Sequence, residues 1–335
     1  MARLKKYMYF YRKISDRDPD ILYHKLFFTL KLFMMKKLVI SVALLASAVL
    51  VKAELPQVAT IEEVALPAGS AAMSSTVSPD GSFIVISDAG HQGLTKISLD
   101  GSAPVKYQVE GTVRNVTISP DGANVVFRNI VTGKDKLRRS SLVNINLSSK
   151  AMTQLVAPTR HLNDGVTVSG NVVSAVSDGV AKAHAVGRAA RVVVAPVASI
   201  DYGHLTYTKD GRTTVLDPMG RGSYIWPSIS PDGKKILYYL TGSGCFVCDT
   251  EGRNIAQLGG IRAARWLDNN TVVGMNDTDN GEVIVASNIV VADLEGNRKA
   301  LTDDSVIAAY PSASADGKHI SFTTEKGLLY LINLK

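Results

Sequence analysis

Four kinds of residue in this chain have side chains able to do chemistry, and each is set by its spacing. The two cysteines, Cys245 and Cys248, sit in Gly244-Cys-Phe-Val-Cys-Asp249. A redox Cys-x-x-Cys needs its first thiol at a helix amino terminus, where the dipole lowers the thiol pKa. Here the flanking pattern is that of a strand, which places positions i and i+3 about 10 Å apart and on opposite faces. That exceeds the roughly 7 Å reach of a disulfide, and two thiols alone do not complete a zinc site. Buried structural thiols are expected.

Asp277-Thr-Asp279-Asn-Gly-Glu282 presents carboxylates at alternate positions of an expected loop. Calcium loops use alternating oxygens in this way, with a glycine at the sharp turn and a bidentate acid further on. The glycine comes one residue early and the later acid is not evident, so Asp277, Asp279 and Glu282 read as a solvated turn with only a weak resemblance to a calcium site. The six histidines, among them His91, His161 and His184, are scattered and show no His-x-His or His-Glu-x-x-His spacing. A metal or general-base role lacks the partners such sites need. No metal or cofactor is expected. The fourth kind is a set of Arg, Trp, Tyr and His residues that recur just before predicted inner strands: Arg114, His161, Tyr224, Trp226, Arg262, Arg265 and Tyr310. These types combine large contact area with polar tips and suit recognition of a protein or ligand. The competing reading is that they pack and hydrogen-bond the interior.

The elements that must position these residues come from an internal repeat. Four segments align without gaps, opening Val77-Ser-Pro-Asp-Gly81, Ile118-Ser-Pro-Asp-Gly122, Ile229-Ser-Pro-Asp-Gly233 and Ala313-Ser-Ala-Asp-Gly317, each followed by alternating apolar residues. Proline presets φ, aspartate caps its own backbone and glycine accepts positive φ, so each copy is a turn between two strands of a hairpin. Weaker copies run through Val166–Ser177 and Arg265–Met275. With Asp80, Asp121, Ser169, Asp232, Asp268 and Asp316 as anchors, the spacings are 41, 48, 63, 36 and 48 residues. Most match a four-stranded propeller blade of about 40–50 residues. The long interval holds Arg191-Val-Val-Val-Ala195 and the hairpin Leu205–Leu216. It is either one long blade with an insertion or two short ones, so an all-β, single propeller of six blades is expected, with seven the alternative. The last repeat ends on its third strand, residues 328–334, and the spare strand Val58–Leu66 is expected to pair with it and close the ring.

The Ser-Pro-Asp-Gly-Lys-x-Ile repeat, with the Asp293-Leu-Glu-Gly296 turn and Leu301-Thr302, resembles the TolB-type propellers, relatives of the WD-repeat propellers. The resemblance covers about residues 58–335 and implies the propeller fold. Two features depart from it. About 20 residues separate the expected cleavage site from the first blade, which leaves no space for the α/β domain that accompanies the TolB propeller. Peptidases with related propellers carry a Gly-x-Ser-x-Gly elbow, and no such elbow occurs here.

The front of the chain sets the expected compartment. Met35-Lys-Lys, the apolar run Leu38–Val51 and a Val-x-Ala ending at Ala53 read as a secretory signal. The run is too short to span a bilayer, which takes about 20 residues. Residues 1–34 read as an upstream extension of the gene start. The formal charge of +7 is concentrated in these segments. Eight Lys/Arg against three Asp in 1–34, and three Lys in 35–53, leave −1 from Glu54 onward. Nucleic-acid binding therefore loses its electrostatic basis. The expected protein is exported, periplasmic or extracellular, a monomer and not an enzyme. Its expected role is to bind an envelope protein through the channel-mouth loops. The alternatives are a small-ligand or glycan binder and, third, a hydrolase or lyase.

Overall fold

The computed structural model describes residues 54–335; the expected upstream extension and signal segment, residues 1–53, lie outside the described residues. Each Ser-Pro-Asp-Gly copy folds as the residue chemistry requires. In the first, Gly81 N–H donates to the Ser78 carbonyl, and the Ser78 hydroxyl donates to Asp80 and accepts from Phe83 N–H. Asp80 also accepts from Ser82 N–H, and Gly81 sits at φ 71°. Asp121, Asp232 and Asp316 repeat the serine-to-aspartate bond at their own turns.

Twenty-six strands make six antiparallel sheets among the described residues. The described residues open with β1 (Val58–Val64). The first sheet holds β2 (Ser74–Val77), β3 (Phe83–Ser87), β4 (Gly93–Ser98) and β5 (Val105–Gln108). The second holds β6 (Thr112–Ile118), β7 (Asn124–Thr132), β8 (Arg138–Asn146) and β9 (Met152–Thr159). The third has six strands: β10 (Leu162–Ser169), β11 (Val172–Ser177), β12 (Val180–Ala185), β13 (Val197–Asp201), β14 (His204–Lys209) and β15 (Arg212–Val215), in the order β12-β11-β10-β13-β14-β15. The fourth holds β16 (Tyr224–Ile229), β17 (Lys235–Leu240), β18 (Gly244–Asp249) and β19 (Ala256–Gly259). The fifth holds β20 (Arg262–Trp266), β21 (Thr271–Asp279), β22 (Ile284–Asp293) and β23 (Arg298–Ala300). In the last, β24 (Ala308–Ala313), β25 (His319–Thr324) and β26 (Leu329–Leu334) are completed by β1, with Ile61 opposite Ile332 and Val64 opposite Leu329. The expected closure of the ring is thus present.

Burial follows from the pleat. Central strands read as continuous apolar runs, as in Phe83–Ser87 and Lys235–Leu240, because both of their faces are covered. Six clusters of buried side chains fill the spaces between neighbouring sheets. Phe83, Leu94 and Phe127 join the first and second sheets, for example, and Ile289, Phe322 and Ile332 the fifth and last. None of these clusters lies between the two halves of the third sheet, which meet edge to edge at the pair Asp164–Ile200. The long interval in the repeat is therefore one hydrogen-bonded sheet built from two three-stranded meanders, and the propeller has six blades. The apolar run Arg191–Ala195, which resembles a strand in sequence, forms none; Val192 and Val193 are half exposed in the connection between the two meanders.

The cysteine geometry is that of a strand. Cys245 packs between the fourth and fifth sheets and Cys248 between the third and fourth, on opposite faces of β18. Burial pushes both thiols up to about 12, which leaves them protonated and unreactive at neutral pH.

Candidate functional site

Four inner strands share an irregularity that the repeat only partly advertises. The register with the next strand slips at Asn115-Val116 in β6, Trp226-Pro227 in β16, Ala263-Ala264 in β20 and Tyr310-Pro311 in β24. The first residue of each pair lies at positive φ: 52°, 54°, 48° and 51°. A bulge leaves one position without a ladder partner, so proline, which has no N–H to offer, is suited to the second place in two of the four. Positive φ is uncommon for residues other than glycine, and for a bulky Trp or Tyr it has to be held by the surrounding structure. Bulges re-aim side chains, and here they direct them toward the propeller axis.

The result is a cavity of about 660 Å³ walled by β2, β6, β16, β20 and β24. Arg114, Trp226, Arg265, Trp266 and Tyr310 all line it, with His91 at its side and Pro79 and Pro231 of two Ser-Pro-Asp-Gly turns also in the wall. Trp226 stacks at a tilt on Tyr239, ring centroids 5.6 Å apart, and the Trp266 indole donates to the Ser228 carbonyl at 3.2 Å, tying β20 to β16. Tyr310 is half exposed at 49%. The third sheet contributes an adjoining recess, where Asp164 accepts from the Asn115 amide and lies 3.6 Å from Arg128. Arg128 also donates to the Leu162 and Asn163 carbonyls and so fixes β10 against the second sheet.

Three of the sequence candidates lie elsewhere. Tyr224 is fully buried, and its hydroxyl donates to the Gly220 carbonyl and accepts from Met219 N–H, so it closes a loop and does not face the cavity. Arg262 forms a 2.7 Å ion pair with Asp277, whose side chain is almost wholly buried. His161 is exposed and meets the Tyr202 hydroxyl at 3.3 Å. The expected positions just before the inner strands are corrected as well: Arg114, Trp226, Arg265 and Tyr310 stand inside them, at or beside the bulges. Trp266, His91 and Asn115 complete the wall; the signal for the bulge itself was the aromatic-Pro-Ser triplet in Trp226-Pro-Ser228 and Tyr310-Pro-Ser312.

The acidic run is divided between a strand and the turn that follows it. Asp277 and Asp279 belong to β21; Asp277 faces Arg262, Asp279 accepts from Gly281 N–H, and Glu282 is exposed. No group of three acidic, histidine or cysteine side chains able to hold a metal occurs among the described residues. No helix there is long and apolar enough to cross a membrane.

The sheets and their axial cavity define a β-propeller, and solved structures agree. The chain is similar to a structure of U3-55K (11% identity, TM-score 0.58, covering 84% of this chain and all of that one). It is also similar to a component of the mitotic checkpoint complex (11%, TM-score 0.55, 84% and 94%) and to virginiamycin B lyase from Staphylococcus aureus bound to quinupristin (15%, TM-score 0.54, 82% and 99%). At these identities the likeness is one of fold. No protein-family model and no curated protein sequence matches the chain.

Proposed function

We propose that this chain is an exported, monomeric binding propeller, without catalytic activity of its own, that recognises a protein partner of the cell envelope through the axial cavity. The carrying observation is the convergence of Trp226, Tyr310, Arg114 and Arg265 on one concave surface by four matched bulges. Aromatic and arginine side chains concentrated at a pocket are the usual anchors of recognition. Strained backbone held at such a place is characteristic of a functional surface. Export is supported by the Met35–Ala53 pattern. The resemblance of the repeat to TolB-type propellers fits an envelope role.

A small-ligand reading has one observation in its favour: the cavity volume falls in the range of small-molecule sites. Trp226→Ala separates binding from packing. A partner captured from an envelope extract by the wild-type chain should be lost with this variant while its melting temperature stays within a few degrees. Equal capture by both proteins would overturn the proposal.

A further inference from the structure

The charge inside the cavity is one-sided. Arg114 and Arg265 are in its wall, and no Asp or Glu is. His91 adds no charge at neutral pH, because burial and the neighbouring Arg114 hold it below its ordinary value. Arg114 has no carboxylate partner among the described residues. Arg265 is reached by water through the channel but enclosed by protein. Lost hydration lowers its proton affinity, and the field of Asp164 partly restores it; a guanidinium remains charged under both influences. Asp164, the acid of the adjoining recess, is already engaged by Asn115 and Arg128. Arg114, Arg128 and Arg265 against Asp164 leave two positive charges facing the axis, in a chain whose net charge from Glu54 onward is −1.

Two guanidinium groups lining one concave surface that holds no carboxylate of its own attract an anion into it. The walls select the kind of anion. Guanidinium forks match planar carboxylates in bidentate geometry. Trp226, Tyr310 and Trp266 offer ring faces and edges to a carbon skeleton rather than the dense N–H cradle that a phosphate takes. On the reading that this cavity is the recognition surface, we infer that it binds a ligand bearing two carboxylates. One pairs with Arg265 inside the channel and the other with Arg114, with the connecting carbons against Trp226 and Tyr310. Two acidic side chains of a partner segment and a free small di-acid share this chemistry.

The chain provides its own reporter, since both of its tryptophans, Trp226 and Trp266, line the cavity. Tryptophan emission of the mature protein should change saturably on titration with hexaglutamate, glutarate or both at low salt, and should not with hexalysine. Inorganic phosphate should bind at least tenfold more weakly than the better carboxylate probe. In Arg114→Gln with Arg265→Gln, the apparent Kd should rise at least tenfold and the salt dependence should shrink. Arg114→Gln alone, at an exposed position, should give a smaller loss in a chain that melts as the wild type does. Hexaglutamate binding without glutarate binding assigns the carboxylates to a protein segment; equal binding assigns them to a small di-acid. Absence of response to both, or equal affinity in the arginine variants, overturns the inference. If partner capture is lost with Trp226→Ala but survives in the double arginine variant, the carboxylate inference fails and the binding surface stands. If neither variant affects capture, the surface itself is wrong.

Discussion

The third sheet and the five four-stranded sheets handle the same problem differently. A four-stranded sheet buries both faces, and even its outer strand can carry a core residue: Tyr107 of β5 is 4% exposed and its hydroxyl donates to the Leu147 carbonyl of the next blade. The meanders of the third sheet stop after three strands. β15 is exposed at all four residues, and β12 has no fully buried residue. Their turns are tight pairs, Asp178-Gly179, Tyr202-Gly203 and Asp210-Gly211, with both residues of each pair at positive φ. Neither inner hairpin carries Ser-Pro-Asp-Gly, and neither β10 nor β13 lines the main cavity. Loss of the motif alone does not explain this, because the fifth sheet has Leu267-Asp-Asn-Asn270 at the same turn and still keeps four strands and a share in the cavity wall through β20.

The sharpest way to break this comparison is at the two outermost strands. β1 joins two clusters, since Val58 packs with the fifth and last sheets and Val64 with the last and first, whereas Val215 of β15 belongs to none. Replacing Val58–Val64 by an equal length of Gly and Ser should cost several kcal/mol and lower the melting temperature by about 10 °C or more, followed by circular dichroism. The same replacement of Arg212–Val215 should cost about 1 kcal/mol, a shift of about 2–4 °C. Equal shifts would mean that the outer strand of the third sheet is as structural as the ring closure.

A finer test lies within the repeat itself. Gly81 and Gly233 hold the same place in two copies, at φ 71° and 74°. A Cβ at Gly233 would enter open space, so Gly233→Ala should cost about 1–2 kcal/mol for backbone conformation alone. At Gly81 it would overlap the His319 ring, and Gly81→Ala should cost more, measured by urea midpoints at constant m. The smallest effect is electrostatic. The Ser82 and Ser78 hydroxyls hold Asp80 down to about 2, and Asp121 and Asp232 are held below their ordinary value by the serines of their turns. These carboxyls bind protons less readily in the folded chain than in the unfolded one. Their contribution is complete above the unfolded value of 3.8 and is lost as pH falls toward about 2. Because they are solvent-exposed, the loss should be slight at each turn. Asp80→Asn should flatten the acid limb of a stability-against-pH curve by lowering the neutral plateau slightly and leaving the acid end nearly unchanged.

Much of this architecture is legible in the residues. The turn chemistry of Ser-Pro-Asp-Gly determines a hairpin locally, and its period, together with the spare strand before the first copy, encodes a closed ring. The interval from Ser169 to Asp232 shows that the period breaks. Its resolution into one sheet depends on edge pairing between β10 and β13, a contact between distant residues with no local signature. The site is legible only in part, for a related reason. Residue type and proximity to the inner strands apply equally to Tyr224 and Trp226, yet one closes a buried loop and the other lines the cavity. The bulge at Trp226-Pro227 interrupts the alternation that would otherwise assign faces, so the pleat cannot be counted across it. Arg262 and Arg265 divide in the same way about Ala263-Ala264, with Asp277 capturing the first.

The closure by β1 also fixes where the protein is held and where it is free. Lys335 N–H donates to the Gln57 carbonyl, so both ends of the ring emerge side by side at the outer rim of one blade. A label, surface linkage or fused domain at either end would load the perimeter and leave the axis open. Joining the two ends by a short linker and opening the chain at the exposed Val192-Val193 connection would give a circularly permuted propeller with the same axial cavity.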